Sequence, residues 1–164
     1  WVALALTHGY GASDSVGAVG YGLFVTAMTS GRLLGTGLLN AYGRVRVMRI
    51  ACVLAVVGLG SFVLSPWLWL GMGAIFVWGL GAALGFPVGM SAAADNPMKA
   101  SARVSVVSTV GYGAFLGGPP ILGLLGEALG VRQGLSVVLV LVVVSFLLVP
   151  QLATPEEEGV HRLS

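Results

Sequence analysis

The sequence contains very few charged residues. Of its 164 residues, 9% are charged and 57% are hydrophobic, and the mean hydropathy is +0.97. A soluble domain carries about 25% charged residues, so this chain cannot cover a globule with charge in water, and its composition predicts a protein of the lipid bilayer. The net charge of +2 is also too small, and too unevenly distributed, to indicate nucleic-acid binding.

Cysteine and catalytic motifs are scarce as well. The single cysteine, Cys52, lies in an apolar run and has no second cysteine with which to form an internal disulfide. The chain contains no GxSxG or HExxH motif, no pair of carboxylates at helical spacing, and no phosphate-binding glycine loop followed by lysine. We therefore expect no enzyme, no metal site and no cofactor.

The chain begins in an apolar stretch without an initiator methionine or a basic leader. Residues 1–6 therefore do not have the pattern of a signal peptide, and they are interpreted as the end of a helix. On this interpretation we expect the chain to be part of a longer protein.

Long apolar runs divide the chain into five full spans and a partial one. A membrane-spanning helix needs about 20 apolar residues, and the first run, Trp1–Thr7, is too short to cross alone. The sequence thus predicts an all-α, polytopic transmembrane helix bundle over residues 1–150, with a polar cytoplasmic tail at 151–164. The five predicted spans are Val16–Leu39, Val47–Leu64, Trp67–Ala94, Ala102–Leu125 and Leu135–Val149.

Basic residues are concentrated in alternate connections between these spans. The remaining connections carry only Arg132. Because basic loops stay on the cytoplasmic side of a membrane, the alternation predicts which connections, together with the tail, face the cytoplasm. The basic residues of these connections are Arg44, Arg46, Arg49, Lys99 and Arg103.

Glycine is abundant inside the spans, with 26 copies in the chain. Gly81, Gly85 and Gly89 follow one another at intervals of four residues, which lets helix backbones approach closely in lipid. We expect these glycines to pack helices together, and a leucine at Gly85 to force two backbones apart.

Proline falls inside two predicted spans. Pro87 lies in the third span and Pro119-Pro120 in the fourth, and each proline removes a backbone donor and strains the preceding turn. The interruptions predict either a fixed kink or a broken helix that lines a cavity, where freed carbonyls find partners.

Two spans carry a polar face at helical spacing. These faces are expected to meet protein or water, through helix–helix hydrogen bonds or a solute pathway. Within them Arg32 is the one charge well inside a span, which indicates either an anchor or part of a gate. The polar residues are Thr29, Arg32, Thr36 and Asn40 in the first span and Ser101, Ser105, Ser108, Tyr112 and Pro119 in the fourth.

The stretch Gly31–Arg46 resembles the loop signature of the major facilitator superfamily, a Gly-rich helix end followed by Asp-Arg-x-Gly-Arg. Asn40 stands at the Asp position and Ala41 at the Arg position, and Gly43 and Arg44 match the end of the signature. Two further stretches, Trp78–Ser91 and Gly111–Glu127, resemble the tenth and eleventh helices of a sugar-permease-like bacterial subgroup. The resemblance implies the C-terminal half of such a transporter, from the end of helix 7 to the tail after helix 12.

The resemblance also implies a function and a set of site residues. The chain is expected to belong to a secondary transporter of the bacterial inner membrane that moves a small solute by alternating access. Its partners would be the lipid bilayer, the solute and the missing N-terminal half of the same chain. The expected cytoplasmic gate comprises Arg32, Asn40, Gly43 and Arg44, and the candidates for the solute cavity are Tyr21, Trp78 and Tyr112.

The solute, the coupling ion and the direction of transport stay open at this point. A channel or a non-transporting membrane scaffold is the alternative interpretation. Substrate-independent ion conductance of the purified full-length protein would favour the channel.

Overall fold

The fold was analysed in a computed structural model that describes residues 1–153. Helices are the regular structure throughout this part of the chain, so the predicted all-α bundle is confirmed. The predicted polar tail falls outside the described residues from Thr154 onward. The helices are α1 Val2–Gly9, α2 Asp14–Tyr42, α3 Arg44–Leu64, α4 Leu68–Ala82, α5 Gly85–Ala94, α6 Ala100–Leu129, α7 Val131–Gly134 and α8 Ser136–Leu148, followed by a 3₁₀ turn, Val149–Leu152.

Three stretches are long and apolar enough to cross a membrane by length and composition: Arg44–Leu64, Leu68–Ala94 and Val131–Leu152. The helices α2 and α6, with 29 and 30 residues, are also long enough for a hydrocarbon core of about 30 Å. They are less uniformly apolar because glycine and polar side chains interrupt their apolar residues. Both continue past the predicted ends, since the helical hydrogen bonds do not stop where the hydrophobic run stops.

The third predicted span is two helices rather than one. The chain leaves the helix at Ala83 and Leu84 and resumes it at Gly85. Pro87, the third residue of α5, has no N–H to donate to the carbonyl of Ala83, four residues earlier. The third span is therefore interrupted about one helical turn before its proline, at the residue whose hydrogen bond the proline removes.

The fourth span behaves differently. The helix α6 continues through Pro119 and Pro120 from Ala100 to Leu129, so a break of the kind seen before Pro87 is absent. Both prolines are exposed, and the preceding Gly117 and Gly118 place no side chains against the proline rings.

The core of the bundle is the contact between α3 and α4. A Cβ built on Gly58 would lie 2.8 Å from the carbonyl oxygen of Ala74, and one on Gly81 would lie 2.6 Å from that of Ala51. Such separations put backbone against backbone, with no room for a side chain. Around this contact Phe62, together with other residues of α3 and α4, forms the larger buried cluster.

The GxxxGxxxG pattern serves this packing only at its first glycine. A Cβ at Gly85 or Gly89 would meet no atom of residues 1–153 within 4 Å. Among residues 1–153, Gly85 and Gly89 therefore do not pack two helices together, and the clash expected from a leucine at Gly85 has no partner in this part of the chain. The helix is interrupted at Ala83–Leu84, between Gly81 and Gly85, so the spacing of four residues does not carry the packing face of Gly81 on to Gly85 and Gly89.

A second set of glycines lets α2 cross the break. A Cβ at Gly31 would lie 2.6 Å from the Cβ of Ala83, and one at Gly35 would overlap the side chain of Leu84. Ala83 is fully buried and Leu84 is almost so. The helix α2 thus covers the point at which α4 ends and α5 begins.

Candidate functional site

The candidate gate is built around the turn between α2 and α3. A single residue, Gly43, separates the two helices, and its φ of +78° lies in the left-handed region that favours glycine. Its N–H bonds the carbonyl oxygen of Leu39 at 3.1 Å. Because α3 begins directly after this turn, Arg44 is fixed at the first helical position and at the end of the bundle.

The guanidinium of Arg44 is the centre of the contacts at this end. It donates to both carboxylate oxygens of Asp95, at 2.6 and 3.1 Å, in a bidentate ion pair. It also lies 3.4 Å from the hydroxyl of Ser91 and 3.4 Å from the carbonyl oxygen of Leu152. Arg44 therefore joins the start of α3 to the end of α5 and to the final turn of the described chain, an arrangement we call the Arg44 lock.

The lock is only partly shielded from water. The side chain of Arg44 is 13% exposed and that of Asp95 is 30% exposed. Ion pairs in such surroundings contribute about 0.2–1 kcal/mol, somewhat more when they are bidentate. A contact of this size can hold one arrangement of the helices without preventing another.

The charge of Asp95 is stabilised by its partner. The hydrogen bond from Arg44 holds the pKa of the Asp95 carboxyl below its usual range, and the charges of Arg44 and Arg103 act in the same direction. A carboxyl with a lowered pKa stabilises the fold fully above its ordinary value of about 3.9. That contribution is lost as the pH falls through the lowered pKa, so the Arg44 lock is complete at neutral pH.

Asp95, the ion-pair partner of Arg44, is a residue that the sequence analysis missed. It was interpreted only as the end of the third span. The available signal was an isolated carboxylate in a connection that is otherwise basic, flanked by Lys99 and Arg103. The pairing itself joins residues 51 positions apart and depends on the tertiary arrangement.

The other predicted gate residues lie near the lock, but they do different things. Asn40 is exposed in the last turn of α2. The side chain of Arg32, about two turns further into the bundle, donates from Nε to the carbonyl oxygen of Ala83 at 3.3 Å. Of the four predicted residues, Gly43 and Arg44 therefore form the turn and the lock, whereas Arg32 contacts the helix break.

The three cavity candidates separate into two groups. Tyr21 and Tyr112 are exposed, at 57% and 70%. Trp78 is 8% exposed, and its ring packs 4.9 Å from that of Phe24 and 6.3 Å from that of Phe62. The assignment of Trp78 to a cavity surface is therefore wrong, because its large ring fills the interface between α2, α3 and α4.

The predicted polar faces remain uncovered within residues 1–153. Thr29, Thr36, Ser101 and Ser105 are exposed, and Ser108 is half-buried with its hydroxyl 3.8 Å from the sulfur of Met90. The helix α6 has no buried residue at all. Two long helices thus present polar side chains on faces that the described part of the chain does not fill.

A separate cluster holds the opposite end of the bundle. Arg132 donates to the carbonyl oxygen of Ser65 at 2.8 Å, and its guanidinium carbon lies 4.5 Å from the centre of the Tyr10 ring. The Tyr10 hydroxyl in turn donates to the carbonyl oxygen of Phe62 at 2.6 Å. These groups supply donors to carbonyls at the end of α3, where the helix has none of its own.

The basic end also contains two open cavities beside α5 and α6. One, of about 450 Å³, is mainly apolar in its lining and includes Arg103 and Val106. The other, of about 440 Å³, is lined by Asp95, Asn96 and Arg103 among others. In residues 1–153 no group of three or more His, Cys, Asp or Glu side chains could hold a metal ion.

Comparison with known proteins places this arrangement in a family. The model of the Major Facilitator Superfamily matches residues 1–163. The membrane protein MosC of Rhizobium meliloti is 32% identical over 136 residues, which cover 82% of this chain and 33% of that protein. An uncharacterized MFS-type transporter of Yersinia pestis is 32% identical over 149 residues, covering 87% of this chain and 38% of its own length.

A third relative agrees with the first two. An uncharacterized transporter of Sinorhizobium fredii is 35% identical over 133 residues, which cover 80% of this chain and 35% of that protein. No solved structure matches the chain. The chain spans about a third of the length of these relatives, and three of its apolar helical stretches are long enough to cross a membrane, as in an integral membrane protein. From the whole-length match and the related transporters it follows that this chain belongs to the Major Facilitator Superfamily.

Proposed function

We propose that the chain is the C-terminal half of a secondary transporter of the bacterial inner membrane, in a sugar-permease-like subgroup. The transporter moves a small solute by alternating access, and the N-terminal half of the same protein covers the exposed faces of α2 and α6. The observation that carries the proposal is the Arg44 lock, which joins α3, α5 and the final turn at the end of the bundle where basic residues cluster.

The charge distribution supports the orientation. The turn before α3 and the connection between α5 and α6 meet at one end, as the contact between Arg44 and Asp95 requires. Lys99 lies in this connection, and Arg46, Arg49 and Arg103 lie in the first turns of α3 and α6 next to these two segments. Basic connections stay in the cytoplasm, so this end is the cytoplasmic one, and the Arg44 lock holds α3, α5 and the final turn in place where the pathway between the two halves closes towards the cytoplasm.

The exposed polar faces support a solute pathway. Polar side chains on lipid-facing positions are unfavourable because they lose their hydrogen bonds with water. Thr36 on α2 and Tyr112 on α6 are nevertheless exposed here. They are accounted for when these faces line a water-filled cavity between the two halves.

Breaking the Arg44 lock is expected to open the cytoplasmic side. In the full-length transporter, Arg44→Asp or Asp95→Arg places like charges together, so a cysteine introduced at Thr36 becomes more accessible from that side. Combining the two changes restores opposite charges and slows the reaction again in part, since the contacts of Arg44 with Ser91 and Leu152 are not restored. The measurement is the labelling rate of that cysteine by a membrane-impermeant maleimide in inside-out vesicles.

Arg49→Asp is the matched control for this experiment. Arg49 is an exposed arginine five residues further along α3, and its reversal is expected to leave the labelling rate unchanged. Equal labelling in the wild type and both single variants would contradict the proposed gate. A double variant no slower than the single ones would mean that the ion pair itself is not the closing contact.

A further inference from the structure

The carbonyl of Ala83 requires a hydrogen-bond donor from outside its own helix. In an unbroken helix the N–H of residue 87 would donate to it, but residue 87 is proline. Ala83 is fully buried, so water does not supply the missing bond. A buried carbonyl in a membrane protein is costly when it has no donor, and broken helices persist where other groups provide one.

Arg32 provides that donor. Its Nε lies 3.3 Å from the carbonyl oxygen of Ala83. The approach is possible because α2 has a glycine at the preceding position: a Cβ on Gly31 would lie 2.6 Å from the Cβ of Ala83. The glycine that brings the helices together and the arginine that bonds the carbonyl are thus adjacent in sequence and act on the same residue.

No carboxylate among residues 1–153 serves as an ion-pair partner of Arg32. Asp14 and Glu127 belong to segments at the opposite end of the bundle, and Asp95 is engaged by Arg44. An arginine inside a span without a carboxylate partner among residues 1–153 is consistent with a role that uses its fixed donor rather than its charge alone.

We infer that Arg32 is a positioning residue that replaces the hydrogen bond lost at Pro87 and thereby sets the angle between α4 and α5. The ten-residue helix α5 is then held near both ends by arginines, one in α2 and one at the start of α3. Arg32 holds its beginning at Ala83, and Arg44 holds its end at Ser91 and Asp95. Any movement of α5 relative to α4 pivots at the Arg32 contact.

One consequence of this inference rests on the proposed function: the angle between α4 and α5 places Asp95 for the Arg44 lock. The angle between α4 and α5 is measured in an experiment that does not depend on transport. A spin-label pair at Leu70→Cys on α4 and Ala94→Cys on α5, both exposed positions, reports it in full-length protein whose other cysteines have been replaced. In one straight helix these positions would be about 35 Å apart.

Arg32→Met is expected to shift and broaden the distance distribution of this pair. Arg32→Lys, which keeps the charge but moves the donor, is expected to produce a smaller change. The decisive variant is Pro87→Ala, which returns an N–H to the helix and satisfies Ala83 without Arg32. In the Pro87→Ala background, Arg32→Met should therefore leave the distance distribution unchanged.

Pro119→Ala is the matched control, since it restores a donor in α6, away from Ala83. In that background the effect of Arg32→Met should persist in full. The inference is overturned if Arg32→Met leaves the distances unchanged, or if its effect is the same in the Pro87→Ala background. Pro87→Gly restores the same N–H and replaces Pro87→Ala if that variant does not fold. Neither overturning result would affect the charge-reversal test of Arg44 and Asp95.

Discussion

Gly81→Leu and Gly58→Leu are each expected to prevent the transporter from folding. At both positions the added side chain meets backbone atoms of the facing helix rather than a movable side chain, with the Ala51 oxygen 2.6 Å from a Cβ on Gly81. Overpacking a core costs about 1–3 kcal/mol when side chains can adjust. Here α3 and α4 must separate along their whole contact, so the loss is expected to exceed that range and to consume much of a stability of about 5–15 kcal/mol.

The measurement is the yield of monodisperse full-length protein in detergent and the temperature at which it denatures. Gly73→Leu and Gly85→Leu are the controls, because a Cβ at either position would meet no atom of the described chain within 4 Å. Both controls are expected to fold as the wild type does. If Gly85→Leu were as harmful as Gly81→Leu, the distinction drawn between these two glycines would be wrong.

Trp78→Ala is expected to produce the second largest loss of stability. The side chain of Trp78 is 8% exposed and packs against the rings of Phe24 and Phe62, so its removal leaves a cavity at the centre of three helices. Truncation of a buried aromatic side chain to alanine costs about 3–5 kcal/mol. The expected result is a lowered denaturation temperature of the purified full-length protein.

Tyr112→Ala is the comparison variant for this prediction. Tyr112 is 70% exposed, and its truncation is expected to leave the denaturation temperature nearly unchanged. A Trp78→Ala protein as stable as the wild type would return Trp78 to the surface of a cavity, where the sequence analysis first placed it.

The parts of the fold that the sequence predicts well are those that depend on local composition. Apolar runs marked the helices, and the basic residues around Arg44 marked the end at which two connections meet. Gly43 was identified by its place in the loop signature that Gly31–Arg46 resembles, and the structure gives it the left-handed backbone that favours glycine. Each of these features is decided within a few residues of the chain.

The features that the sequence analysis missed depend on where a helix is interrupted and on residues that are distant in the sequence. The pattern from Gly81 to Gly89 forms one continuous face only if the helix is unbroken, and the interruption at Ala83–Leu84 separates Gly85 and Gly89 from that face. In the same way, the position of Trp78 along its helix is compatible with a side chain that faces either a cavity or the core. Only the positions of Phe24 and Phe62 on other helices decide between them.

The central claim is that the polar face of α6 lines a solute pathway. The most direct test of this claim is the accessibility of cysteines introduced on α6. Tyr112 and Val110 lie at nearly the same depth and are 70% and 66% exposed, but two residues along a helix they point in widely different directions. In the full-length protein in membranes, Tyr112→Cys is expected to react with a small water-soluble thiol reagent while Val110→Cys, facing lipid, does not. Equal reaction at both positions, or reaction only at Val110→Cys, would contradict the proposed pathway.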